Sequence, residues 1–335
     1  MTEREQNLLA WLYDQTGKQH DLVPASSDAS FRRYFRVELD DGSRIVMDAP
    51  PPQEDCRPFV HVSELLANAG LNAPRVLAKD LEDGFLLLDD LGTRTYLETL
   101  NDETVEHLYG DALGALITLQ SCIDIQDAEL PAYDAQLLGN ELALFHDWYL
   151  VKHAGISLTE QQEKVWQQAR NILIESALAQ PVVCVHRDYH SRNLMHTEKH
   201  NPGILDFQDA VIGPVTYDLA SLLRDCYISW PREQVEDWVR GFYEQTVAAG
   251  IINNDAVSEA QFLEWFDLMG VQRHLKAIGI FARLLHRDGK DGYIADIPRT
   301  LAYVLEVSAR YPSLRAFYEL LQSLELPGMV QNTDR

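Results

Sequence analysis

The sequence is short of basic residues, of signal-like segments and of long apolar runs. Its 335 residues contain 28 Lys and Arg against 52 Asp and Glu, which gives a net charge of −24. A surface of this sign repels the phosphate backbone of nucleic acids. The N-terminus lacks a basic start followed by an apolar segment, and no apolar run approaches membrane-spanning length. We therefore expect a soluble, cytoplasmic monomer that binds neither nucleic acid nor membrane.

Cysteines are also few. Cys56, Cys122, Cys184 and Cys226 are far apart and form no C-x-x-C pair. Cys122 and Cys184 stand in apolar surroundings, so we predict that they are reduced core residues and not metal ligands. With 46% apolar residues, the chain can fill the core of one large domain or of two ordinary ones.

The most informative segment that is present runs from Val185 to Asn193 and is followed by Ile204–Gln208. It places Asp188 and Asn193 five residues apart and Asp206 thirteen residues further on, behind strand-like apolar runs. This is the layout of the phosphoryl-transfer centre of protein kinases. Amide and carboxylate oxygens suit Mg²⁺ bound to ATP, and a loop carboxylate can take the proton of an attacking hydroxyl. We predict that Asp188 is catalytic and that Asn193 and Asp206 bind the metal.

The order of the segments predicts a β-rich part followed by a helical part. Thr2 opens a first helix with a capping box, and residues 20–88 contain four strand-like segments around a second helix. From about residue 95 the apolar spacing is helical, and strands interrupt it only near 182–185 and 203–206. We predict an α+β fold of two lobes with a ligand-binding cleft between them. The predicted boundaries are 1–88 for the nucleotide-binding lobe, 89–93 for a hinge and 94–335 for the helical lobe.

The chain resembles the aminoglycoside phosphotransferase and choline kinase group, the small-molecule branch of the protein-kinase-like fold. The segment His186–Asn193 is similar to the group's H-G-D-x-H-x-x-N motif, Asp206–Gln208 to its Asp-Trp or Asp-Phe segment, and Tyr217–Ala220 to its D-L-A helix start. The resemblance implies a two-lobed kinase-like fold that transfers the γ-phosphoryl group of ATP to a small-molecule hydroxyl with the help of Mg²⁺.

The same resemblance implies where the nucleotide binds. The contacts would come from a loop over the phosphates, from the first hairpin and the helix after it, and from a hinge whose backbone pairs with adenine. The predicted nucleotide-binding residues are Ser27, Ser30, Phe31, Arg32, Arg33, Val37, Val46, Glu64, Asp89, Asp90 and Leu91. Two features depart from the group's pattern, because the loop lacks glycines and Asp48 stands where the phosphate-binding Lys is usual.

The first hairpin can be given a register. If Asp41-Gly42 is its two-residue loop, paired positions sum to 83, so Val37 faces Val46 and Phe35 faces Asp48. By analogy with kinases, we predict that this face lies against the nucleotide.

The absence of the Lys leads to a hypothesis about Arg33, which would lie one step further on the same face. We predict that Arg33 replaces the Lys and is held by Asp48 or by Glu64. The alternative is that Arg33 is solvated and that Arg32 or backbone amides bind the phosphates. A one-residue slip would exchange the faces and favour Arg32 or Arg36.

Four further segments are similar to one subgroup, the bacterial anomeric sugar kinases that phosphorylate N-acetylmuramate and N-acetylglucosamine at C1 in peptidoglycan recycling. They are Ser27–Phe35, Val46–Pro51, Leu222–Pro231 and Arg287–Tyr293. The resemblance implies an amino sugar as the acceptor. The acidic composition would suit a cationic acceptor, so a kinase for an aminoglycoside, choline or another small alcohol is the alternative. The missing Lys favours a pseudokinase, but retention of all three motif residues argues against it.

Three residues are candidates for binding the acceptor. His190 follows the predicted base by two residues, although packing under the loop is an alternative, and Asp209 could be a solvated turn residue. The carboxylate of N-acetylmuramate would need an Arg, because a guanidinium can donate two parallel hydrogen bonds to it, and Arg224 is our candidate. We expect most Arg and His residues of the late helices on solvated faces, although an anionic sugar would recruit one or two of them. The set consists of Arg224, Arg273, His274, Arg283, His286, Arg287 and Arg299.

Overall fold

The computed structural model describes residues 2–26 and 31–328. The helices are α1 (Glu3–Thr16), α2 (Arg57–Asn68), α3 (Tyr96–Thr99), α4 (Val105–Cys122), α5 (Ala135–Leu144), α6 (Glu160–Leu178), α7 (Tyr217–Leu223), α8 (Arg232–Ala248), α9 (Glu259–Asp288), α10 (Ile297–Arg310) and α11 (Arg315–Ser323). A π-helical segment, Phe145–His153, continues α5. The strands are β1 (Val23–Ser26), β2 (Arg33–Leu39), β3 (Gly42–Asp48), β4 (Val76–Asp80), β5 (Phe85–Asp89), β6 (Val182–Val185), β7 (Leu194–Met195), β8 (Gly203–Ile204) and β9 (Val211–Pro214).

The chain forms two compact units. The first consists of Met1–Ile123 with Arg192–Ala210, and the second of Asp124–Ser191 with Val211–Arg335. The predicted Asp188 therefore belongs to the second unit, while the predicted metal ligands belong to the first. The lobe boundaries that we expected from the sequence differ from this division and stay a prediction.

A five-stranded sheet forms the centre of the first unit, with the order β1-β2-β3-β5-β4. α1 precedes it and begins at the predicted capping box, in which Thr2 Oγ1 accepts from the N–H of Glu5 and the Glu5 carboxylate accepts from the N–H of Thr2. The helix ends at Gly17, whose φ of 71° lies in the left-handed region that favours glycine. The sequence predicted both ends correctly.

The register of β2 and β3 differs from the prediction. Leu39 pairs with Gly42 and Arg33 with Asp48, so paired numbers sum to 81 and not to 83. The turn is Asp40-Asp41, and Gly42, with φ 122°, already belongs to β3. Because the error is two residues, every side chain keeps its predicted face.

The face of the sheet that carries Phe35, Val37 and Val46 is covered by α1. These three residues are buried in one apolar cluster with Leu8 and Leu12 of that helix. An adenine ring cannot occupy the same space, which corrects the prediction that Val37 and Val46 face the nucleotide.

Ion pairs fasten α1 to the end of this face. Asp48 is fully buried, and its carboxylate accepts from Arg4 Nε at 2.7 Å and from Arg33 Nη2 at 2.5 Å. The prediction that Asp48 holds Arg33 is confirmed. However, the pair lies on the face that α1 covers, so Arg33 joins a helix to the sheet and is poorly placed to replace the missing Lys.

The second unit is mainly helical and is built around α9. This helix of 30 residues is buried along most of its length, in a core with α5, α6, α10 and α11. β6 and β9 form a two-stranded antiparallel ladder in the same unit. α10 ends at Arg310 because Pro312 interrupts the helix, and α11 starts at Arg315.

No helix in the described part of the chain is long and apolar enough to cross a membrane. The four cysteines are free thiols. Cys184 is buried as predicted, whereas Cys122 is exposed because it lies at the end of α4, so its predicted core position was wrong.

Candidate active site

In the first unit, a short hairpin brings Asn193 and Asp206 together. Asn193 directly precedes β7, Asp206 follows β8, and these two strands pair antiparallel. Asn193 Nδ2 donates to Asp206 Oδ2 over 3.2 Å, and the N–H of Leu205 donates to the carbonyl of Asn193 over 2.9 Å. Two oxygen-bearing side chains that are thirteen residues apart in sequence thus meet at the base of one hairpin.

The backbone around Asp206 is strained and firmly held. Its φ of 62° lies in the left-handed region, which costs a residue with a side chain about 1–2 kcal/mol. The next side chain, Phe207, is fully buried and packs against Phe59 of α2 with ring centroids 4.6 Å apart. Gln208 Nε2 donates to Asp206 Oδ1 over 2.8 Å. Strain of this kind, held by packing, is common where a carboxylate must point in a fixed direction.

This pair of side chains suits a Mg²⁺ ion that is shared with a ligand better than it suits a metal ion held by protein ligands alone. Mg²⁺ usually takes one or two carboxylate or amide ligands and completes its shell with phosphate oxygens and water. In the part of the chain that the structure describes, no group of three or more His, Cys, Asp or Glu could hold a metal ion. That Asn193 and Asp206 bind Mg²⁺ together with a nucleotide stays a prediction.

The loop that was predicted to lie over the phosphates is described only in part. Ser27 and Ser30 lie outside the described residues. Phe31 is exposed, and its N–H donates to Glu54 Oε1 over 3.1 Å. Arg32 Nε lies 3.3 Å from Glu54 Oε2. Glu54 therefore anchors the residues directly before β2, a role that its position in a loop gave no reason to expect.

Arg36 connects β2 to the predicted hinge. Its guanidinium donates to the Asp90 carboxylate at 2.5 and 3.0 Å and to the carbonyl of Gly92 at 3.0 Å. Burial raises the pKa of Asp90, but the hydrogen bonds from Arg36 and from the N–H of Gly92 outweigh burial and lower it. Arg36 lies on the opposite face of β2 from Arg33. The adenine contacts predicted for Asp89–Leu91 stay a prediction.

Two other predicted residues are placed at the surface of the first unit. Glu64 on α2 lies 3.8 Å from Lys79, and both side chains are exposed. The alternative in which Glu64 holds Arg33 was therefore wrong, because Glu64 pairs with a different cation. Asp209 is exposed three residues after Asp206, and its contact with an acceptor stays a prediction.

In the second unit, the loop after β6 carries Asp188. Asp218, in the first turn of α7, accepts the N–H of His186 at 2.6 Å and the N–H of Arg187 at 2.9 Å. Arg187 has a φ of 77°, so one buried carboxylate holds a strained turn with two hydrogen bonds. Asp218 therefore ties α7 to this loop, and the N-cap residue of the helix is Thr216.

Electrostatics keep Asp188 ionised. Burial raises the pKa of this carboxyl, but the positive charge of Lys276, with a further contribution from Arg273, outweighs burial and lowers the pKa below its usual range. The N–H of Asp188 donates to His186 Nδ1 over 3.2 Å, which fixes the backbone of the loop. An ionised carboxylate on a fixed loop is suited to orient a hydroxyl group and to accept its proton.

A buried polar cluster around Glu141 supports this loop. Glu141 Oε1 lies 2.6 Å from Arg187 Nη2 and 3.0 Å from Lys276 Nζ. Its other oxygen accepts from the hydroxyl of Tyr133 and, at 3.0 Å, from Gln272. Burial raises the pKa of Glu141, but Lys276 and then Arg187 lower it on balance. The sequence did not indicate this cluster, because its members come from α5, α9 and two loops that are far apart in the chain, and no local pattern links them.

His190 packs inside the loop. Its ring meets the ring of Tyr227 edge to face with centroids 5.4 Å apart. The backbone N–H of His190 donates to the carbonyl of Asp188 over 3.0 Å. Burial lowers the pKa of His190 to about 4, so the ring is neutral near pH 7. Asp225 accepts the N–H groups of Ser191 and Tyr227, each at 2.9 Å. These contacts favour the packing alternative, and contact with an acceptor stays a prediction.

Several late cations are not on solvated faces. Arg273 and His274 are buried because α9 runs through the core, so their predicted exposure was wrong. Arg224 is buried as well, at 3.1 Å from the Glu306 carboxylate and with its guanidinium 5.0 Å from the centre of the Tyr303 ring. Arg224 thus has an anionic partner within the protein, and its contact with an acceptor stays a prediction.

Comparison with known proteins identifies the class. Residues 21–250 match the phosphotransferase enzyme family, and since they make up more than half of the chain, the protein belongs to that family. An aminoglycoside phosphotransferase solved with ADP bound shares the fold, with a TM-score of 0.57 over 90% of this chain and 98% of that one at 17% identity. The predicted kinase-like α+β fold is confirmed.

Closer relatives narrow the comparison. A protein of Pseudomonas putida is 50% identical over 333 residues, which span 96% of this chain and 97% of the relative. One of Pseudomonas aeruginosa is 53% identical over 304 residues, which span 91% of this chain and 88% of the relative. Both are named N-acetylmuramate/N-acetylglucosamine kinase. The predicted resemblance to the sugar-kinase subgroup is confirmed.

Proposed function

We propose that the protein transfers the γ-phosphoryl group of ATP to the anomeric C1 hydroxyl of N-acetylmuramate and of N-acetylglucosamine, as a step in cell-wall recycling. The observation that carries the proposal is the similarity at 50% and 53% identity, over nearly the whole chain, to relatives named kinases of these two sugars. The arrangement of charged residues around Asp188 supports the same reaction.

In the proposed step, the C1 oxygen attacks the γ-phosphorus while the bond from that phosphorus to the bridging oxygen of ADP breaks. Asp188 accepts the proton of the hydroxyl, and ADP leaves with the electron pair of the broken bond. An anomeric hydroxyl is more acidic than other sugar hydroxyls, so one carboxylate is a sufficient base. The lowered pKa of Asp188 supports this assignment, since the residue must start as an anion.

The metal ligands would be Asn193 and Asp206. Bound Mg²⁺ would neutralise charge on the β- and γ-phosphates. The contact between the two side chains and the strain at Asp206 support a fixed orientation of these ligands. The proposal requires that they act on the same ATP as Asp188, and the kinase-like spacing of the three residues in sequence supports this requirement.

We assign the nucleotide to the face of the sheet opposite α1. Alternation along the paired strands places Tyr34, Arg36, Ile45, Met47 and Leu88 on that face. Met47, and not Asp48, then occupies the inward strand position at which kinases carry the Lys. The positive charge would instead come from Arg32, which Glu54 orients directly before β2.

The acidic composition favours one second candidate. A net charge of −24 would attract a cationic acceptor such as an aminoglycoside or choline. Purified protein with Mg·ATP should release ADP in the presence of either amino sugar and should not do so faster with kanamycin or choline than with water. If the protein phosphorylates kanamycin or choline but neither amino sugar, a kinase for a cationic acceptor replaces the proposal. ATP binding without turnover of any of the four would indicate a pseudokinase.

The proposal includes a cytoplasmic monomer, because ATP is available in the cytoplasm and because the proposed base and both proposed metal ligands belong to one chain. Light scattering with and without Mg·ATP tests whether the protein is a monomer, and a stable dimer would contradict this part of the proposal.

A further inference from the structure

Two cations lie one turn apart on α9, and only one of them has an anionic partner. Arg273 and Lys276 are both buried, with 5% and 8% of their surface exposed. Lys276 Nζ lies 3.0 Å from Glu141 Oε1 and 3.0 Å from the hydroxyl of Tyr217. Among the residues that the structure describes, Arg273 forms no ion pair, and its hydrogen bonding is limited to a contact of 3.7 Å from Nη1 to the sulfur of Cys226.

The carboxylates near Arg273 have other functions. Burial lowers the pKa of the Arg273 guanidinium, but nearby groups raise it above its usual value, Cys226 and Tyr217 most and Asp225 and Asp188 less. Asp225 accepts backbone N–H groups from Ser191 and Tyr227. In the proposed reaction, Asp188 accepts a proton from the acceptor hydroxyl. Arg273 is one of the positive charges that lower the pKa of Asp188, after Lys276.

A buried guanidinium without a carboxylate partner is costly. Removal of the charge from water is offset only by an ion pair or by several hydrogen bonds. The planar guanidinium carries five N–H donors whose geometry matches the two oxygens of a carboxylate. A ligand that supplies a carboxylate would satisfy the donors that the protein leaves unused.

We propose that Arg273 binds the lactyl carboxylate of N-acetylmuramate and determines whether the site accepts the acidic sugar. The inference rests on the proposed function and deepens it by naming the specificity residue. N-acetylglucosamine lacks this carboxylate, so the two acceptors differ at the group that Arg273 would bind. Arg224, our candidate from the sequence, is a weaker one because Glu306 already neutralises it.

The test compares the two sugars in the variants Arg273→Gln and Arg273→Lys. In Arg273→Gln, kcat/KM for N-acetylmuramate should fall by about 30-fold or more, while kcat/KM for N-acetylglucosamine should stay within about threefold of wild type. Arg273→Lys should recover part of the loss, since Lys restores the charge but not the two parallel hydrogen bonds.

Arg224→Gln is the matched control, because it removes a second buried guanidinium of the same unit. It should change kcat/KM for both sugars by similar factors. A selective loss of N-acetylmuramate turnover in Arg224→Gln, with Arg273→Gln unaffected, would transfer the assignment and overturn the proposal. An equal loss for both sugars in Arg273→Gln, with a raised KM for ATP, would assign the guanidinium to the nucleotide and overturn it as well.

A substrate change tests the contact in the unaltered protein. The amide of N-acetylmuramate keeps the shape of the lactyl group but has no charge, so wild-type kcat/KM should fall by about 30-fold relative to the acid. If wild-type kcat/KM for the acid and for the amide differ by less than about threefold, the proposal is overturned. This test holds even if Arg273→Gln does not fold. If the wild type phosphorylates neither sugar, the proposed function itself fails; turnover of both sugars without selectivity at Arg273 refutes only this inference.

Discussion

The two loops that carry the proposed chemistry are held by different kinds of contact. In the second unit, the loop around Asp188 is held by charge, since Asp218 accepts two of its backbone N–H groups and a buried ionic cluster supports it. In the first unit, the hairpin of Asn193 and Asp206 is held by strand pairing and by the buried ring of Phe207. The loop of the proposed base therefore depends on ionised side chains, and the loop of the proposed metal ligands depends on apolar packing.

The largest expected effect separates the two loops by function. Asp188→Asn removes the proposed base, so kcat should fall by about 10²–10⁴-fold, the usual contribution of general base catalysis. Binding of Mg·ADP, measured by calorimetry, should stay close to wild type because the hairpin of the first unit is unchanged. Turnover near the wild-type value would show that Asp188 is not the base.

Asp206→Asn should have the complementary effect. It replaces an anionic ligand of Mg²⁺ by a neutral one, so affinity for Mg·ADP should fall by about tenfold or more, as an effect of about 1.4 kcal/mol implies. Affinity for ADP in EDTA should change little. The matched control is Asp209→Asn, which removes an exposed carboxylate three residues away. This variant should bind Mg·ADP like wild type. Similar losses in both variants would remove Asp206 from the metal site.

Asp218 makes the charge-held loop sensitive to pH. Burial raises the pKa of Asp218 to about 6, while His186 and the two backbone N–H groups act in the opposite direction. Below that pH the carboxyl is protonated and accepts the N–H groups less well, so kcat should fall on the acid side of pH 6. In Asp218→Asn this limb should disappear, and kcat at pH 8 should be lower by about 30-fold, for a loss of about 2 kcal/mol.

The contribution of Asp218 to the free energy of unfolding should decrease as pH rises, whereas kcat should increase. Because the pKa is higher in the folded than in the unfolded protein, the contribution of Asp218 to stability is present below about pH 4 and is lost as pH rises through about 6. The difference in unfolding free energy between wild type and Asp218→Asn should therefore shrink from pH 4 to pH 7. Denaturant unfolding at several pH values measures it, and a constant difference would contradict the raised pKa.

The smallest expected effect concerns the two faces of the sheet in the first unit. Arg33→Ala should lower the free energy of unfolding by about 1 kcal/mol, since the side chain is 39% exposed and Arg4 still pairs with Asp48. The KM for ATP should not change. Arg36→Ala should raise the KM for ATP by a few fold, about 1 kcal/mol, through release of Asp90. A raised KM in Arg33→Ala beside an unaffected Arg36→Ala would return the nucleotide to the face that α1 covers.

The residues that could be predicted from sequence are those whose chemistry depends on local spacing. Asp188, Asn193 and Asp206 stand within twenty residues of one another, so a short motif shows them, and the resemblance to a known group gave the fold. The capping box of α1 was equally visible, because both partners lie in one turn.

The residues that were missed depend on contacts between distant segments. The apolar stripe of α1 indicates that the helix packs on a sheet, but it does not indicate which face of the sheet the helix covers. Because α1 covers the face of Val37 and Val46, these residues are not part of the proposed nucleotide surface. Glu141 and Lys276 are polar positions on long helices that local spacing cannot distinguish from solvated ones. The register was misjudged because Asp41-Gly42 is a favourable turn pair, whereas the chain turns one residue earlier.

The central claim is that Asp188 transfers a proton from the C1 hydroxyl of an amino sugar. The most direct test is ³¹P and ¹³C NMR of the product that wild type and Asp188→Asn form from Mg·ATP and N-acetylmuramate. We expect wild type to give a phosphate ester whose phosphorus couples to the anomeric carbon, and Asp188→Asn to give no such ester in the same time. Phosphorus coupled to any other sugar carbon, or equal product from both proteins, would contradict the account.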